Sequence, residues 1–254
     1  MIKLGVVGVG VIGTAMVKGL KKKYGGDIEI FLSPRNAARA EGLARAFSGV
    51  TVMESNQAVL DAADWIIFSV LPAVAEETAR SLAFAPRHKV ISLISKAKIA
   101  ELTEWMGPTA LLCRVIPQTF IEFHTGPMLL YPELPEARDI LSGMGQVVAT
   151  DTEEAFILAQ VLSCVTGPFF YLQDQIIQWM DGLGLPPEQS APFLFGMFSA
   201  LCDYANRTNP REIDELWKEV TPGGLNEMAY KMIDKDGCNE SWLRALEAVR
   251  QKIV

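Results

Sequence analysis

Ile2, Leu4, Val6 and Val7 form a short apolar, β-branched run, and Ala15, Met16, Val17 and Leu20 follow at helical spacing. That change of period, from strand to helix, recurs down the first 150 residues. It predicts a second strand at 27–32 (DIEIFL) and a helix over 37–47. A third strand at 50–53 and a helix at 56–63 come next, then the apolar strand 65–70 ended by Leu71-Pro72. A helix at 74–82, a strand at 89–93 and a helix at 99–106 continue the alternation. Strands at 110–115, 126–131 and 146–149 close it. From Glu153 onward the period is helical throughout, with helices expected at 153–165, 168–182, 187–205, 213–220, 225–234 and 240–252. Strands alternating with helices imply a mostly parallel sheet covered on both faces. The expectation is an α/β chain: an N-terminal Rossmann-type, mostly parallel sheet over residues 1–151, then an all-helical domain over 152–254.

Between the first strand and helix stand Gly8, Gly10 and Gly13, spaced G-x-G-x-x-G. In a dinucleotide site the first glycine makes the tight turn, the second admits a pyrophosphate to the backbone, and the third lets helix and strand pack closely. The helix N-terminus adds unpaired N–H groups and a partial positive charge. Residues 8–13 (Gly8, Val9, Gly10, Val11, Ile12, Gly13) are therefore candidate cofactor contacts. An NAD site would place Asp or Glu at the tip of the second strand. Here that place holds Ser33, with Arg35 two residues on and Arg39 one helical turn later. A hydroxyl and a planar cationic fork suit a 2′-phosphate, so NADP is expected, with NAD as the alternative. Ligands in such sheets lie beyond the strand C-terminal ends. The tips at 8–13, 33–35, 70–72, 95–96 and 117–119 should therefore surround one crevice.

Composition narrows the class. Of 254 residues half are apolar, and the formal net charge is −7. An acidic chain lacks the basic surface that nucleic acid requires, so no nucleic-acid partner is expected. No uninterrupted apolar run reaches the ~18 residues of a membrane span, and residues 1–19 continue straight into the fold, so neither a membrane anchor nor a signal peptide is expected. Cys113, Cys164, Cys202 and Cys238 are scattered without a C-x-x-C pair. They suit free thiols of a cytoplasmic protein, not a metal site or a disulfide frame. His88 and His124 have no partner at metal-ligand spacing. The apolar surplus at Phe193, Phe195, Met197, Phe198 and Leu201 exceeds one helix stripe and points to a subunit interface.

Six fragments in order carry a family resemblance. They are GVVGVGVIGTAMVKGL (5–20), Asn56 before DWIIFSVLP (64–72), ISLISKAKI (91–99), CRVIPQTF (113–120), TGPFFY (166–171) followed by GLGLPPEQSA (182–191), and EVTPGGLNEMA (219–229). Together they make the whole chain similar to the pyrroline-5-carboxylate reductases, which reduce a cyclic imine to proline with NAD(P)H. The resemblance implies cofactor contacts from Asn56, Val70, Leu71, Pro72 and Pro117 besides the glycines, Ser33 and Arg35. It implies substrate contacts from Thr119, Thr166, Gly223, Gly224 and Asn226, with Asn226 and Thr166 nearest the chemistry. It also implies a homodimer, or a higher homo-oligomer, built through the helical domain.

The departures cluster in the helical domain. The family's S-P-G-G-T-T loop, whose backbone N–H groups and hydroxyls hold the substrate carboxylate, reads Pro222-Gly223-Gly224-Leu225-Asn226 here. Gln175 stands where the family has a helix glutamate, Gln118 replaces an asparagine, and Leu71 replaces the lysine of a Lys-Pro pair. Three readings follow: pyrroline-5-carboxylate reduction, reduction of a different imine or imino acid, or NADP binding without catalysis. A β-hydroxyacid dehydrogenase would carry a lysine early in the helical domain, and none occurs from 151 to 178.

Overall fold

The computed structural model describes residues 1–253. The chain forms two compact units, Met1–Gln160 and Val161–Lys252.

In the first unit the elements run β1 (Ile2–Val7), α1 (Val11–Tyr24), β2 (Ile28–Leu32), α2 (Ala37–Ala46), β3 (Val50–Val52), α3 (Asn56–Ala62), β4 (Trp65–Phe68) and α4 (Ala75–Arg80). They continue through β5 (Lys89–Ser92), α5 (Ile99–Met106), β6 (Leu111–Ile116), β7 (Pro127–Tyr131), α6 (Pro135–Leu141), β8 (Gln146–Ala149) and α7 (Glu153–Gln160). The eight strands make one sheet in the order β3-β2-β1-β4-β5-β6-β7-β8. The first six are parallel, in the doubly wound order whose direction reverses beside β1. β7 runs antiparallel to β6, and β8 is parallel to β7.

Side-chain alternation along the strands sorts the core into two layers. Leu4, Val6, Ile30, Leu32 and Ile67 join Met16, Val17 and Leu20 of α1, and Ile140 and Leu141 of α6, in one buried cluster. Val7, Ile66, Phe68 and Val90 join Val59 and Leu60 of α3, Ala75 and Ala79 of α4, and Leu102 of α5 in the other. Gly5 is small because α3 lies close: a Cβ there would stand 2.6 Å from the Val59 side chain.

Two sequence expectations need correcting. The first unit does not end at residue 151. α7 folds onto it, because Glu153 pairs with the buried Arg114 at 2.8 Å and Phe156, wholly buried, lies against Tyr131 of β7. The expected helix at 153–165 is α7 followed by one 3-10 stretch, Val161–Val165. Helix α6 was not expected, although Pro135 at its first position and Glu136 beside it are ordinary helix-opening residues.

The second unit contains α8 (Thr166–Gly182), α9 (Pro187–Asn206), α10 (Ile213–Lys218), α11 (Leu225–Lys235) and α12 (Cys238–Ile253). α8 and α9 meet through Phe169 and Phe198, whose rings pack edge to face at 5.0 Å. Between Leu162 and Lys252 only Gln173 and Ser190 are buried. Large apolar side chains are exposed all along this unit, among them Phe170, Trp179, Phe193, Phe195, Leu201, Trp217 and Met232. The helical run Glu153–Gly182 is long and apolar enough, by length and composition alone, to cross a membrane, which the uninterrupted-run criterion did not catch.

Candidate active site

The site is built where β1 stops. Gly8 has φ of 100°, a left-handed conformation, and a Cβ on it would sit 2.4 Å from the Ser69 carbonyl oxygen. Gly13 lies one helical turn on, where a Cβ would stand 2.5 Å from the Gly8 oxygen. These two glycines are required by the tight turn and by helix packing. Gly10 is different: a Cβ there would meet nothing within 4 Å. It caps α1 without any side-chain bond, and the first turn of the helix carries no acidic residue. Open space before a bare helix N-terminus is the cradle a pyrophosphate needs.

Two adjoining cavities occupy this end of the sheet. One, of about 460 Å³, is lined by Gly8, Val9, Gly10, Arg35, Asn36, Ala37, Ser69, Val70 and Leu71. The other, of about 370 Å³, is lined by Gly10, Val11, Ile12, Ser69, Val70, Leu71, Leu93, Ser95, Ile116 and Pro117. They share Gly10 and the Ser69–Leu71 segment, so they form one crevice running from the tip of β2 to the tip of β6. Arg35 supplies a guanidinium at the first end. No ionisable side chain lines the second end, which is apolar apart from two serine hydroxyls.

Several expected contacts stand elsewhere. Ser33 is buried, and its Oγ accepts the Gly8 N–H at 2.9 Å. It braces the glycine turn and does not line the crevice. Asn56 opens α3, Pro72 opens a 3-10 turn, and Thr119 begins another at an exposed position; none of them lines either cavity. Asn36, Ser69, Leu93 and Ile116 do line them and were missed. Ser69 was hidden because the strand was expected to continue to residue 70, whereas β4 stops at Phe68.

Beneath the crevice, Arg114 of β6 is 1% exposed. It donates to Glu153 at 2.8 Å and to the Ser95 carbonyl at 2.9 Å, and its guanidinium lies 4.6 Å from the Phe156 ring. Glu153 also accepts the Ile99 N–H at 2.8 Å, so one carboxylate caps α5 and neutralises β6. Burial pulls the Arg114 guanidinium below its usual range, and Glu153 opposes that pull. Both histidines are structural. His88 is buried, accepts the Ala85 N–H at Nδ1 and faces the Leu60 carbonyl with Nε2, and desolvation, aided by Arg87, lowers its pKa. His124 contacts the Gly19 carbonyl. Burial pushes the Cys113 thiol up to about 12, so it is inert.

In the helical unit Thr166 opens α8 and donates to the Ser163 carbonyl at 3.0 Å, and Asn226 is exposed in the first turn of α11. Gly223 has φ of 75°, and its N–H donates to the Glu227 carboxylate at 2.6 Å. The Gly224 N–H donates to the Thr221 carbonyl at 2.8 Å. Lys231, with the Gly223 N–H, holds the Glu227 carboxyl below the usual range.

Comparison with known proteins fits this geometry. Residues 3–96 match the family model described as NADP oxidoreductase, coenzyme F420-dependent. The cradle, the crevice and that match define an NADP-dependent oxidoreductase. Over 98% of its length the chain is 24% identical to a pyrroline-5-carboxylate reductase of Pseudomonas aeruginosa, covering 95% of that protein. The solved 1-pyrroline-5-carboxylate reductase of Streptococcus pyogenes shares the fold with a TM-score of 0.83 at 19% identity, covering 99% of this chain and 97% of that one. The NADP-bound pyrroline carboxylate reductase of Plasmodium falciparum does so with a TM-score of 0.82 at 20% identity, over 99% and 96%. Along nearly its whole length the chain is therefore similar to pyrroline-5-carboxylate reductases.

Proposed function

We propose that the protein reduces a cyclic imine by hydride transfer from NADPH, with 1-pyrroline-5-carboxylate, the compound in its relatives' names, as the first substrate to test. The observation that carries this reading is the crevice itself: a bare helix N-terminus beside Gly10, a guanidinium at one end and an apolar wall at the other. NADPH, when bound, supplies the hydride; everything else falls to the chain. The α1 N-terminus and the Gly10 backbone would hold the pyrophosphate, with Val9, Val11 and Ile12 beside it. Arg35 would pair with the 2′-phosphate, assisted by Asn36. Val70, Leu71 and Pro117 would shape the nicotinamide end and exclude water there. Ser33 and Gly13 act indirectly, by fixing the turn. Asn56, Pro72 and Thr119 remain expectations of the resemblance.

No ionisable group lines the apolar end, so this unit offers the reaction position and low dielectric, not a proton. A protonated imine is already electrophilic and brings its own proton. Thr166, Asn226 and the Gly223–Gly224 turn of the helical unit are the proposed substrate contacts, with Asn226 offering its amide to the imine nitrogen.

The exposed apolar side chains of the helical unit fit a homodimer or higher homo-oligomer. Lipid is a poorer match for α8, because Asp174, Gln175, Gln178 and Asp181 are exposed along it. Free thiols at Cys164, Cys202 and Cys238 suit the cytoplasm.

The test is loss of NADPH absorbance with 1-pyrroline-5-carboxylate and with 1-pyrroline. Turnover of either is expected. Tight NADPH binding with no turnover of any cyclic imine would favour a non-catalytic NADP-binding protein instead.

A further inference from the structure

Resting on the reading that the 223–226 turn meets the substrate, we infer that Glu227 already fills the anion position of that turn, so the enzyme recognises the imine ring without gripping a carboxylate. Ahead of α11, the turn offers an anion the backbone N–H groups of Gly223 and Gly224. Neither is free. The Gly223 N–H is bonded to Glu227 Oε2 at 2.6 Å, and the Gly224 N–H to the Thr221 carbonyl at 2.8 Å. Glu227 stands at the third position of α11, from which a glutamate characteristically folds back over the helix start. Its other oxygen is held by Lys231 at 2.6 Å. The carboxylate is therefore fixed on both sides, and it is ionised.

A bonded carboxylate changes what the turn selects. An incoming anion would have to displace Glu227 from Gly223, or lie against it and meet a like charge at the point where attraction is needed. Lys231 does not relieve this, because its ammonium is already engaged by the same glutamate. A neutral ring substituent meets no such obstacle. The substrate class that fits is a cyclic imine whose carboxylate is absent or contributes little, with Glu227 as the residue that sets this preference.

The experiment compares kcat/KM for 1-pyrroline and 1-pyrroline-5-carboxylate in the wild type and in Glu227→Ala and Glu227→Gln. In the wild type the two imines should be used within a factor of about 10 of each other. Glu227→Ala frees the Gly223 N–H and removes the charge, and should shift the ratio toward the carboxylate by about tenfold or more. Glu227→Gln removes the charge but keeps an oxygen for Gly223, and should shift it less. A wild-type preference for the carboxylate of about 100-fold, or a ratio unmoved by Glu227→Ala, overturns the inference. Calorimetry with L-proline and NADP reads the turn without catalysis. A gain in proline affinity in Glu227→Ala over the wild type supports the inference even if neither imine is reduced, and no gain overturns it. Absence of all turnover overturns only the proposed reaction.

Discussion

At the level of single residues, the glycines of the opening motif differ, and the packing tasks of Gly8 and Gly13 were legible. Gly8 and Gly13 are fixed by contacts under 3 Å that any Cβ would make, whereas Gly10 is fixed by nothing inside the chain. The room at Gly10 faces the bare N-terminus of α1, which is where an anion would be held. Ser33 was legible in position but not in direction. It follows β2, and only the path of the neighbouring turn sends its hydroxyl inward to Gly8 instead of outward. Arg114, inside the CRVIPQTF fragment, has a role that the sequence does not show, because nothing local announces that a guanidinium in mid-strand will be buried. Its partner lies 39 positions away. Removing that partner should be costly. Glu153→Ala leaves a buried cation unpaired, and is expected to lower stability by about 2–4 kcal/mol, toward the low end because Glu153 itself is partly solvated. Glu153→Gln, which keeps an oxygen for the Ile99 N–H, should lose less. Urea denaturation of both variants checks this, and an unchanged midpoint in Glu153→Ala would refute it.

At the level of elements, the alternation of strand and helix periods placed all eight strands within two residues at each end. Strand existence follows from local patterning, but the antiparallel course of β7 does not. The ten residues between β6 and β7 hold only a short 3-10 turn, too little for the crossover that a parallel neighbour needs. Helix α6 escaped because its seven residues span barely two turns, too few for a period to show. The boundary between units was misplaced for a related reason. A change to helical period at Glu153 reads as a new domain, but α7 spends its buried face on the sheet through Phe156 and Ile157. Period identifies an element and does not say which core it joins.

At the level of the molecule, the two units differ in how they are stabilised. The first hides an apolar layer on each face of its sheet. The second has no buried apolar side chain from Leu162 to Lys252, too little to offset the entropy of ordering five helices. Phe169, Phe170, Phe195 and Phe198 line a groove between α8 and α9. A second copy of the chain is the expected cover. Sedimentation equilibrium should therefore return the mass of two or more chains at micromolar concentration, and a stable monomer would contradict this. The central claim concerns the other unit, and cofactor titration tests it most directly. NADPH should quench or shift the protein's fluorescence at lower concentration than NADH by about 10–100-fold, the worth of one charged hydrogen-bond contact at Arg35. Arg35→Ala should erase that difference while leaving NADH binding intact. If neither dinucleotide binds, or if Arg35→Ala leaves the preference for NADPH unchanged, the crevice does not hold the cofactor through Arg35.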